Sequence, residues 1–356
     1  MGVDWFLQFS EAVKTFRRLE SLSISFSQAF SDYTLVNIAK HADRLKTISI
    51  DFAPGLTLHG FCEFWEQMSQ TVEKVVFQHA NLFATSVKPV QLQQKQLHLT
   101  ELQIVRVSLP VDQLLQITSL VPNLKKLRLS ETSVDDLVVR HFSQQCPKLE
   151  TLCLNSCSKV SDLGMAAISK LKNLRVVSLD HLSLLSNAGV SLLLDLDIVS
   201  LSLYGCSSLT NDLVQEICEI NSPSLTALNL GSISGITESS ILNLLRTKGG
   251  NLRKLSISGI EVGLPVLESI TSNCTKMLEV LDVGKQKWID RTSASNLVKQ
   301  LSALRVLFAE GFIDTMENDI WEGHSFWTEN GSKCRIDSLG RLDLSGFAHL
   351  NEKTSF

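Results

Sequence analysis

The chain has 356 residues, of which 44% are hydrophobic and 20% are charged, and its formal net charge is −4. This composition is that of an ordinary folded protein and excludes a disordered chain. The acidic balance argues against nucleic-acid binding, because a nucleic-acid interface needs an excess of basic residues.

A triplet of apolar residues, spaced apolar–x–x–apolar–x–apolar, recurs about every 26 residues along the whole chain. Eleven of the twelve spacings between the thirteen triplets lie between 24 and 27 residues. A constant period of this size predicts a stacked array of repeats, so we expect one solenoid over residues 1–356. The triplets begin at Leu19, Leu45, Val72, Leu99, Leu124, Leu149, Leu174, Ile198, Leu225, Leu252, Leu278, Leu304 and Leu339.

Each repeat is predicted to join a short strand to a helix. In residues 150–155, apolar and other side chains alternate, which indicates a strand with one buried face. Residues 161–170 carry apolar side chains near helical spacing, with Ser161 as the N-cap and Asp162 in the first turn. We therefore predict an α/β solenoid with a parallel sheet on its concave face and helices on its convex face. Because helices are wider than strands, the array should curve into a horseshoe.

Three segments depart from this rhythm or close its ends. Residues 80–98 give a poor helix signal, with Pro89 in the middle. Residues 1–18 are predicted to form an N-terminal cap helix, since they carry spaced aromatic residues. The interval from Leu304 to Leu339 is longer than the others, and its tract 311–336 is either an insertion that anchors a partner or a C-terminal cap. The aromatic residues of that tract are Trp321, Phe326 and Trp327.

The eight cysteines favour reduced, packed thiols over a disulfide framework. They form no Cys-x-x-Cys pair, and no pair of histidines has zinc-ligand spacing. Several cysteines occupy equivalent places in different repeats, where a thiol serves as a small apolar filler. We therefore expect no metal site and a cytoplasmic location, with a nuclear one as the alternative.

Targeting, membrane and catalytic signals are missing from the sequence. The N-terminal residues have no basic and apolar pattern typical of a signal peptide. The most apolar stretch, residues 182–203, contains Asp195 and Asp197 and is not expected to span a membrane. The nucleotide-binding, serine-hydrolase and zinc-protease motifs are absent. We therefore expect neither enzymatic activity nor a cofactor.

The candidate binding surface is the strand side that alternates with the buried apolar residues. Among its residues, Lys126 and Arg128 with Tyr204 resemble interface anchors, because Arg and Tyr are favoured at binding hot spots. The alternative is a hydrated polar surface that binds nothing. The partner-binding residues proposed for this surface are Lys126, Arg128, Asn155, Asp180, Tyr204, Asn229 and Lys254.

Residues 146–169 match a known repeat pattern, C-P-x-L-x-x-L-x-L-x-x-C-x-x-(I/V)-(S/T)-D-x-G-(L/M). The repeat that follows Cys206 keeps about half of it. The pattern resembles the cysteine-containing leucine-rich repeat, as found in F-box/LRR substrate receptors of cullin–RING ubiquitin ligases. The matching residues are Cys146, Pro147, Leu149, Leu152, Leu154, Cys157, Val160, Ser161, Asp162, Gly164 and Met165.

This resemblance implies a protein-interaction module that recognises substrates for an SCF-type ubiquitin ligase. A protein partner would lie on the concave face, and the cullin–RING ligase adaptor would be a second partner. The F-box itself is not seen, since the first triplet begins at Leu19. The alternatives are a scaffold or adaptor without a ubiquitin role, and a receptor for a small anionic ligand near Lys126 and Arg128. We expect a monomer that binds neither nucleic acid nor membranes.

Overall fold

The structure is a computed structural model, which describes residues 18–25, 30–80, 96–220, 224–286, 291–308, 325–327 and 333–335. The chain divides into two compact units, Met1–Ser208 and Leu209–Phe356. Both units are built from the same repeating pair of a strand and a helix.

In the first unit, eight strands pair in parallel and follow one another in chain order. They are β1 (Ser21–Ser25), β2 (Thr47–Asp51), β3 (Lys74–Gln78), β4 (Glu101–Val105), β5 (Lys126–Ser130), β6 (Thr151–Cys153), β7 (Val176–Ser178) and β8 (Ser200–Ser202). The helices that the structure describes here are α1 (Asp32–His41), α2 (Leu58–Gln67), α3 (Val111–Leu120), α4 (Asp136–Gln145), α5 (Asp162–Ile168) and α6 (Asn187–Leu194). Helix α1 packs beside α2, and helices α3 to α6 pack side by side in chain order.

The second unit continues the pattern with four parallel strands in chain order. These are β9 (Ala227–Asn229), β10 (Lys254–Ser256), β11 (Val280–Asp282) and β12 (Val306–Phe308). Its described helices are α7 (Asn211–Glu219), α8 (Glu238–Lys248), α9 (Leu264–Asn273) and α10 (Arg291–Gln300). A separate antiparallel pair, β13 (Ser325–Trp327) and β14 (Lys333–Arg335), lies beyond them.

The predicted repeats are confirmed wherever the structure describes them. The central apolar residue of each of the first twelve triplets lies in a strand and is aligned with its equivalents in the paired strands, as Leu102 is with Val75 and Leu127. Most of these residues are fully buried, because one face of every strand packs on the helices. The triplet at Leu339, the predicted cap helix of residues 1–18 except Arg18, and most of the break at 80–98 lie outside the described residues.

A ladder of side-chain hydrogen bonds joins the starts of α4 and α5 to the repeats that follow them. The Asp162 carboxylate accepts from the backbone N of Ser186 at 2.9 Å and from its Oγ at 2.6 Å. Asp136 binds Ser161 in the same way at 2.8 and 2.6 Å. The predicted N-cap role of Ser161 is confirmed, since its side chain accepts from the Leu163 N–H. The acidic residue of the motif thus links two repeats as well as facing the helix dipole.

The glycine of the motif gives this carboxylate its space. A Cβ atom added at Gly164 would lie 2.7 Å from Oδ1 of Asp136, and one at Gly189 would lie 2.1 Å from Oδ1 of Asp162. Both distances are far below ordinary van der Waals contact. The D-x-G spacing therefore reflects the packing of one repeat against the next.

The motif cysteines form a second link between repeats. The buried Sγ of Cys157 donates to the Leu129 carbonyl at 2.7 Å, and that of Cys206 donates to the Leu179 carbonyl at 3.1 Å. Cys146, at the C-terminal end of α4, donates to the Val121 carbonyl at 3.4 Å. Burial raises the pKa of Cys146 and Cys206 to about 12, so both remain protonated donors.

Candidate functional site

The strand side chains that do not face the helices form what we call the strand face. In the first unit this face is partly exposed, with the alternating burial expected of a sheet covered on one side. In the second unit, Ala227, Asn229, Ser256 and Asp282 on the same face are buried. Lys254 is half-buried, and the exposed strand-face side chains among the described residues lie in the unit Met1–Ser208.

Lys126 and Arg128 lie side by side on the strand face of β5. Lys126 is exposed and Arg128 is half-buried, while Leu127 between them is in the core. Two residues apart on one strand, their side chains leave the sheet about 6.6 Å from each other. Nε of Arg128 donates to Oγ of Ser130 at 3.4 Å. The two residues are thus placed together, as the alternation predicts.

A carboxylate on the neighbouring strand lies close to the lysine of this pair and to a second lysine on the strand beyond. Glu101 on β4 lies 2.7 Å from Nζ of Lys74 and 3.9 Å from Nζ of Lys126. It also accepts from Nε2 of Gln103 at 2.7 Å. Its side chain is 13% exposed, so the carboxylate lies under the lysines rather than at the surface. We call Lys74, Glu101, Lys126 and Arg128 the cationic cluster.

Asn155, Asp180 and Tyr204 meet in one hydrogen-bond network at the ends of β6, β7 and β8, the three strands that follow the strand of Arg128. The Asp180 carboxylate accepts from Nδ2 of Asn155 at 3.0 Å, from Oγ of Ser202 at 2.5 Å and from the Tyr204 backbone N at 2.9 Å. Oδ1 of Asn155 accepts in turn from the Asp180 backbone N at 3.0 Å. These side chains connect the ends of three successive strands.

Burial dominates the electrostatics of Asp180. This carboxyl group is 3% exposed, and desolvation raises its pKa above the ordinary value although Ser202 and Tyr204 donate to it. A group at this depth contacts its own chain on every side. Asp180 therefore positions Asn155 and Tyr204, which remain half-buried on the strand face.

Asn229 and Lys254 lie in the second unit, on strands β9 and β10. Asn229 is 1% exposed, and its Oδ1 accepts from the Gly231 N–H at 3.0 Å. Burial lowers the pKa of Lys254, and Glu279 opposes this shift. Ala227, and not Asn229, is the residue aligned with Lys254 across the strands. The alternation along the strands places Asn229 and Lys254 on the strand face, but it does not predict that Asn229 is buried.

The aromatic residues of the tract 311–336 are only partly within the described residues. Phe326 and Trp327 form part of β13, with Phe326 aligned to Cys334 of β14. Cα atoms of β14 lie within 8 Å of those of β12, the last strand of the parallel sheet. Trp321 lies outside the described residues. The roles of the tract as a cap or as a partner anchor remain predictions.

A regular row of residues with the left-handed backbone conformation follows the strands, and this row was not predicted from the sequence. The residue two positions after the last apolar residue of ten triplets has a positive φ, and eight of these ten are not glycine. This conformation costs a non-glycine residue roughly 1 kcal/mol or more. The row could have been found from glycines at the same position in two repeats. Its members are Phe52, His79, Arg106, Glu131, Ser156, His181, Gly205, Ser232, Gly259 and Lys285.

Side chains of this row form an exposed polar chain beside β2 to β5. Nδ1 of His79 lies 2.8 Å from the Asp51 carboxylate, and its Nε2 lies 3.3 Å from the Arg106 guanidinium. Nε of Arg106 donates to Glu131 at 2.7 Å, and this bond raises the pKa of Arg106. Because the arginine can only donate, Nε2 of His79 is the acceptor if these two groups share a hydrogen bond. Four repeats thus share one continuous polar edge.

Within the described ranges, no group of three or more His, Cys, Asp or Glu side chains is arranged to hold a metal ion. None of the helices in the described residues combines the length and hydrophobicity needed to cross a bilayer.

The comparisons with known proteins identify the fold. No protein-family model matches the chain, and no curated protein matches it. Among solved structures, it is similar to a chain of the yeast Rad7–Elc1 complex, with a TM-score of 0.62 and 16% identity over 96% of this chain and 88% of that chain. It is also similar to a chain of the TLR13–ssRNA13 complex, with a TM-score of 0.51 and 15% identity over 83% of this chain and 43% of that one. The chain therefore has the leucine-rich-repeat solenoid fold that its triplets predict.

Proposed function

We propose that this chain is a protein-recognition module that binds a protein partner on the strand face of its first unit. The observation that carries the proposal is the pair Lys126 and Arg128, which lies on an accessible polar sheet surface next to Glu101 and Lys74. A surface of this kind offers charged and polar groups on a rigid sheet, which reduces the entropy lost on binding. Arginine is among the residues most enriched at binding hot spots.

We further propose that the recognised partner is a substrate of an SCF-type ubiquitin ligase, in the cytoplasm or nucleus. Two observations support this. The repeat at residues 146–169 carries the full cysteine-containing pattern, and the ladder of Asp136, Asp162 and Gly164 shows how that pattern packs. The chain is also similar over nearly its whole length to one chain of a two-protein complex, Rad7–Elc1. A cullin–RING ligase adaptor would then be the second partner.

Affinity purification of the full-length chain from its own cells tests both proposals. Three baits are compared: the unchanged chain, Arg128→Glu and the control Lys172→Glu. Lys172 is exposed in the turn before β7, so its replacement makes the same type of change to the net charge away from the cationic cluster. We expect Arg128→Glu to reduce recovery of the partner at least about tenfold, the effect of losing one hot spot. Lys172→Glu should leave recovery unchanged.

The co-purifying proteins separate the two functions. Recovery of a cullin and its adaptor together with the partner supports the ligase role. A partner recovered without any ubiquitin machinery supports the scaffold role instead. If the proteins recovered with Arg128→Glu and with the unchanged chain are the same, the strand face of β5 is not the recognition surface.

A further inference from the structure

Arg128 differs from the other cations of the cluster because it has no carboxylate of its own. Within the described residues, its guanidinium forms no ion pair, and its Nε donates to Ser130 at 3.4 Å. The guanidinium has five N–H donors in a planar fork that matches both oxygens of a carboxylate. Among the described residues, the other N–H groups of this guanidinium form no hydrogen bond and can donate to a molecule that contacts the strand face.

The neighbouring carboxylate does not supply this partner. In the strand register Glu101 is aligned with Lys126, whereas Arg128 is aligned with Gln103 on one side and Cys153 on the other. Glu101 already contacts Nζ of Lys74 at 2.7 Å and Nε2 of Gln103 at 2.7 Å. Both contacts are made by Oε1, while Oε2 lies 3.9 Å from Nζ of Lys126, so neither oxygen of Glu101 is paired with Arg128. The guanidinium is consequently flanked by an amide and a thiol.

The local charge has the opposite sign to the charge of the whole chain. Among the four residues that define the cationic cluster, Lys74, Lys126 and Arg128 are cations and Glu101 is a carboxylate. The chain as a whole carries a net charge of −4. A positive site on an acidic protein directs an acidic partner to this place and disfavours binding elsewhere.

We propose, building on the function above, that this site binds an extended acidic protein segment and that Arg128 holds one of its Asp or Glu carboxylates. In an extended chain, side chains two residues apart are separated by about 6.6 Å, which is also the spacing of Lys126 and Arg128 along β5. Acidic residues at alternate positions would therefore meet both cations. The three cations are clustered and do not form a row along which a phosphate backbone could lie. This arrangement favours a protein segment over a nucleic acid.

Fluorescence anisotropy of the full chain with labelled twelve-residue peptides tests this inference. The probes are an alternating Glu–Ser peptide, an alternating Gln–Ser peptide, a phosphoserine–Gly peptide and a single-stranded twelve-nucleotide DNA. We expect saturable binding of the Glu–Ser peptide, at least about tenfold weaker binding by Arg128→Glu, and weaker binding at higher salt. The Gln–Ser peptide should not bind. Lys172→Glu is the matched control and should bind like the unchanged chain.

The variant Arg128→Lys distinguishes the contribution of the planar guanidinium to binding from that of its positive charge. It keeps the positive charge and should bind the Glu–Ser peptide more weakly than the unchanged chain but more tightly than Arg128→Glu. Circular dichroism and thermal unfolding of each variant establish that it folds, and Lys126→Glu replaces Arg128→Glu if that protein does not fold.

Several outcomes would overturn the inference. These are no saturable binding of the Glu–Ser peptide, equal weakening by Arg128→Glu and Lys172→Glu, or tighter binding of the DNA or the phosphoserine peptide with no binding of the Glu–Ser peptide. If recovery of the cellular partner still requires Arg128 while the Glu–Ser peptide fails to bind, the inference of an acidic segment is wrong. The proposal that the strand face is the recognition surface is then retained. If the peptide binds but the purified partner is insensitive to Arg128→Glu, the proposed function fails instead.

Discussion

At the residue scale, the contact between one helix start and the next explains why specific small and acidic residues recur. Asp162 is fixed by two hydrogen bonds to Ser186, and Gly189 lies against the same carboxylate. The effect of replacing either residue depends on the other, because the Asp162 carboxylate occupies the space that a side chain at position 189 would need. The pair therefore behaves as one structural unit between two repeats.

Replacing Gly189 by Ala should change the free energy of unfolding in opposite directions with and without the Asp162 carboxylate. In the unchanged chain the added Cβ would lie 2.1 Å from Oδ1 of Asp162, so the clash should outweigh the higher helix propensity of Ala and destabilise by about 1 kcal/mol. With Asp162→Ala present, the same replacement should stabilise by up to ~1 kcal/mol. Urea unfolding of the four proteins in this double-mutant cycle measures the coupling.

Gly250→Ala is the control, because a Cβ there meets nothing within 4 Å. It should change the free energy of unfolding by less than about 0.5 kcal/mol, as most surface replacements do. If Gly189→Ala has the same effect in both backgrounds, the contact with Asp162 does not constrain this position.

The buried carboxyl group of Asp180 should give the stability a characteristic pH dependence. Its pKa is raised in the folded state by burial, so the folded chain binds this proton more tightly than the unfolded chain does. The resulting stability is fully present below the unfolded value of about 3.9 and is lost as the pH rises through the folded pKa. The advantage in unfolding free energy of the unchanged chain over Asp180→Asn should therefore shrink as the pH rises.

Urea unfolding of both proteins between about pH 3.5 and 7 measures this difference. The comparison with Asp180→Asn removes the contributions of other groups, which the two proteins share. A difference that grows with pH would mean that the donors from Ser202 and Tyr204 outweigh burial and hold the carboxylate ionised.

At the scale of the elements, one repeat is stabilised by an aromatic cluster. The ring of Phe77 on β3 lies 4.9 Å from that of Phe61 and 5.5 Å from that of Phe64, both on α2, in edge-to-face geometry. Trp65 contacts Phe61 and Phe64 as well. All four side chains are fully buried, so this cluster joins the strand to its helix neighbour.

Truncating the central ring should be among the most destabilising single changes. We expect Phe77→Ala to lower the free energy of unfolding by about 3–5 kcal/mol, because it removes a large buried side chain and leaves a cavity. Phe52→Ala, at a ring that is 42% exposed, should cost much less. Denaturant unfolding of both variants makes the comparison, and equal losses would contradict the packing of Phe77.

The sequence predicted these elements to different degrees. The triplets fixed the strands because one buried residue per strand recurs at constant spacing, as for Leu127 and Leu152. The buried state of Asn229 and Asp180 was not predictable, since alternation gives the face of a residue and not what covers it. The left-handed row was missed because His79 and Arg106 carry no sign of their backbone conformation, whereas Gly205 and Gly259 do.

At the scale of the whole molecule, the proposed function assigns different roles to the helices and to the strand face. The helices and the ladder residues serve packing between repeats, and the strand face of the first unit carries the cations Lys126 and Arg128. In the second unit the same face is buried at Asn229, Ser256 and Asp282. The central claim is accordingly that a partner binds the strand face around β5 and β6 of the first unit.

Cysteine labelling with and without the purified partner tests this claim most directly. Cys153 is half-buried on the strand face, aligned with Arg128, and Cys218 is half-buried on helix α7 as the internal control. Maleimide labelling followed by peptide mass spectrometry gives the rate at each thiol. The account predicts that the bound partner slows labelling of Cys153 at least about tenfold and leaves Cys218 unchanged. Slower labelling of Cys218 with no change at Cys153 would contradict it.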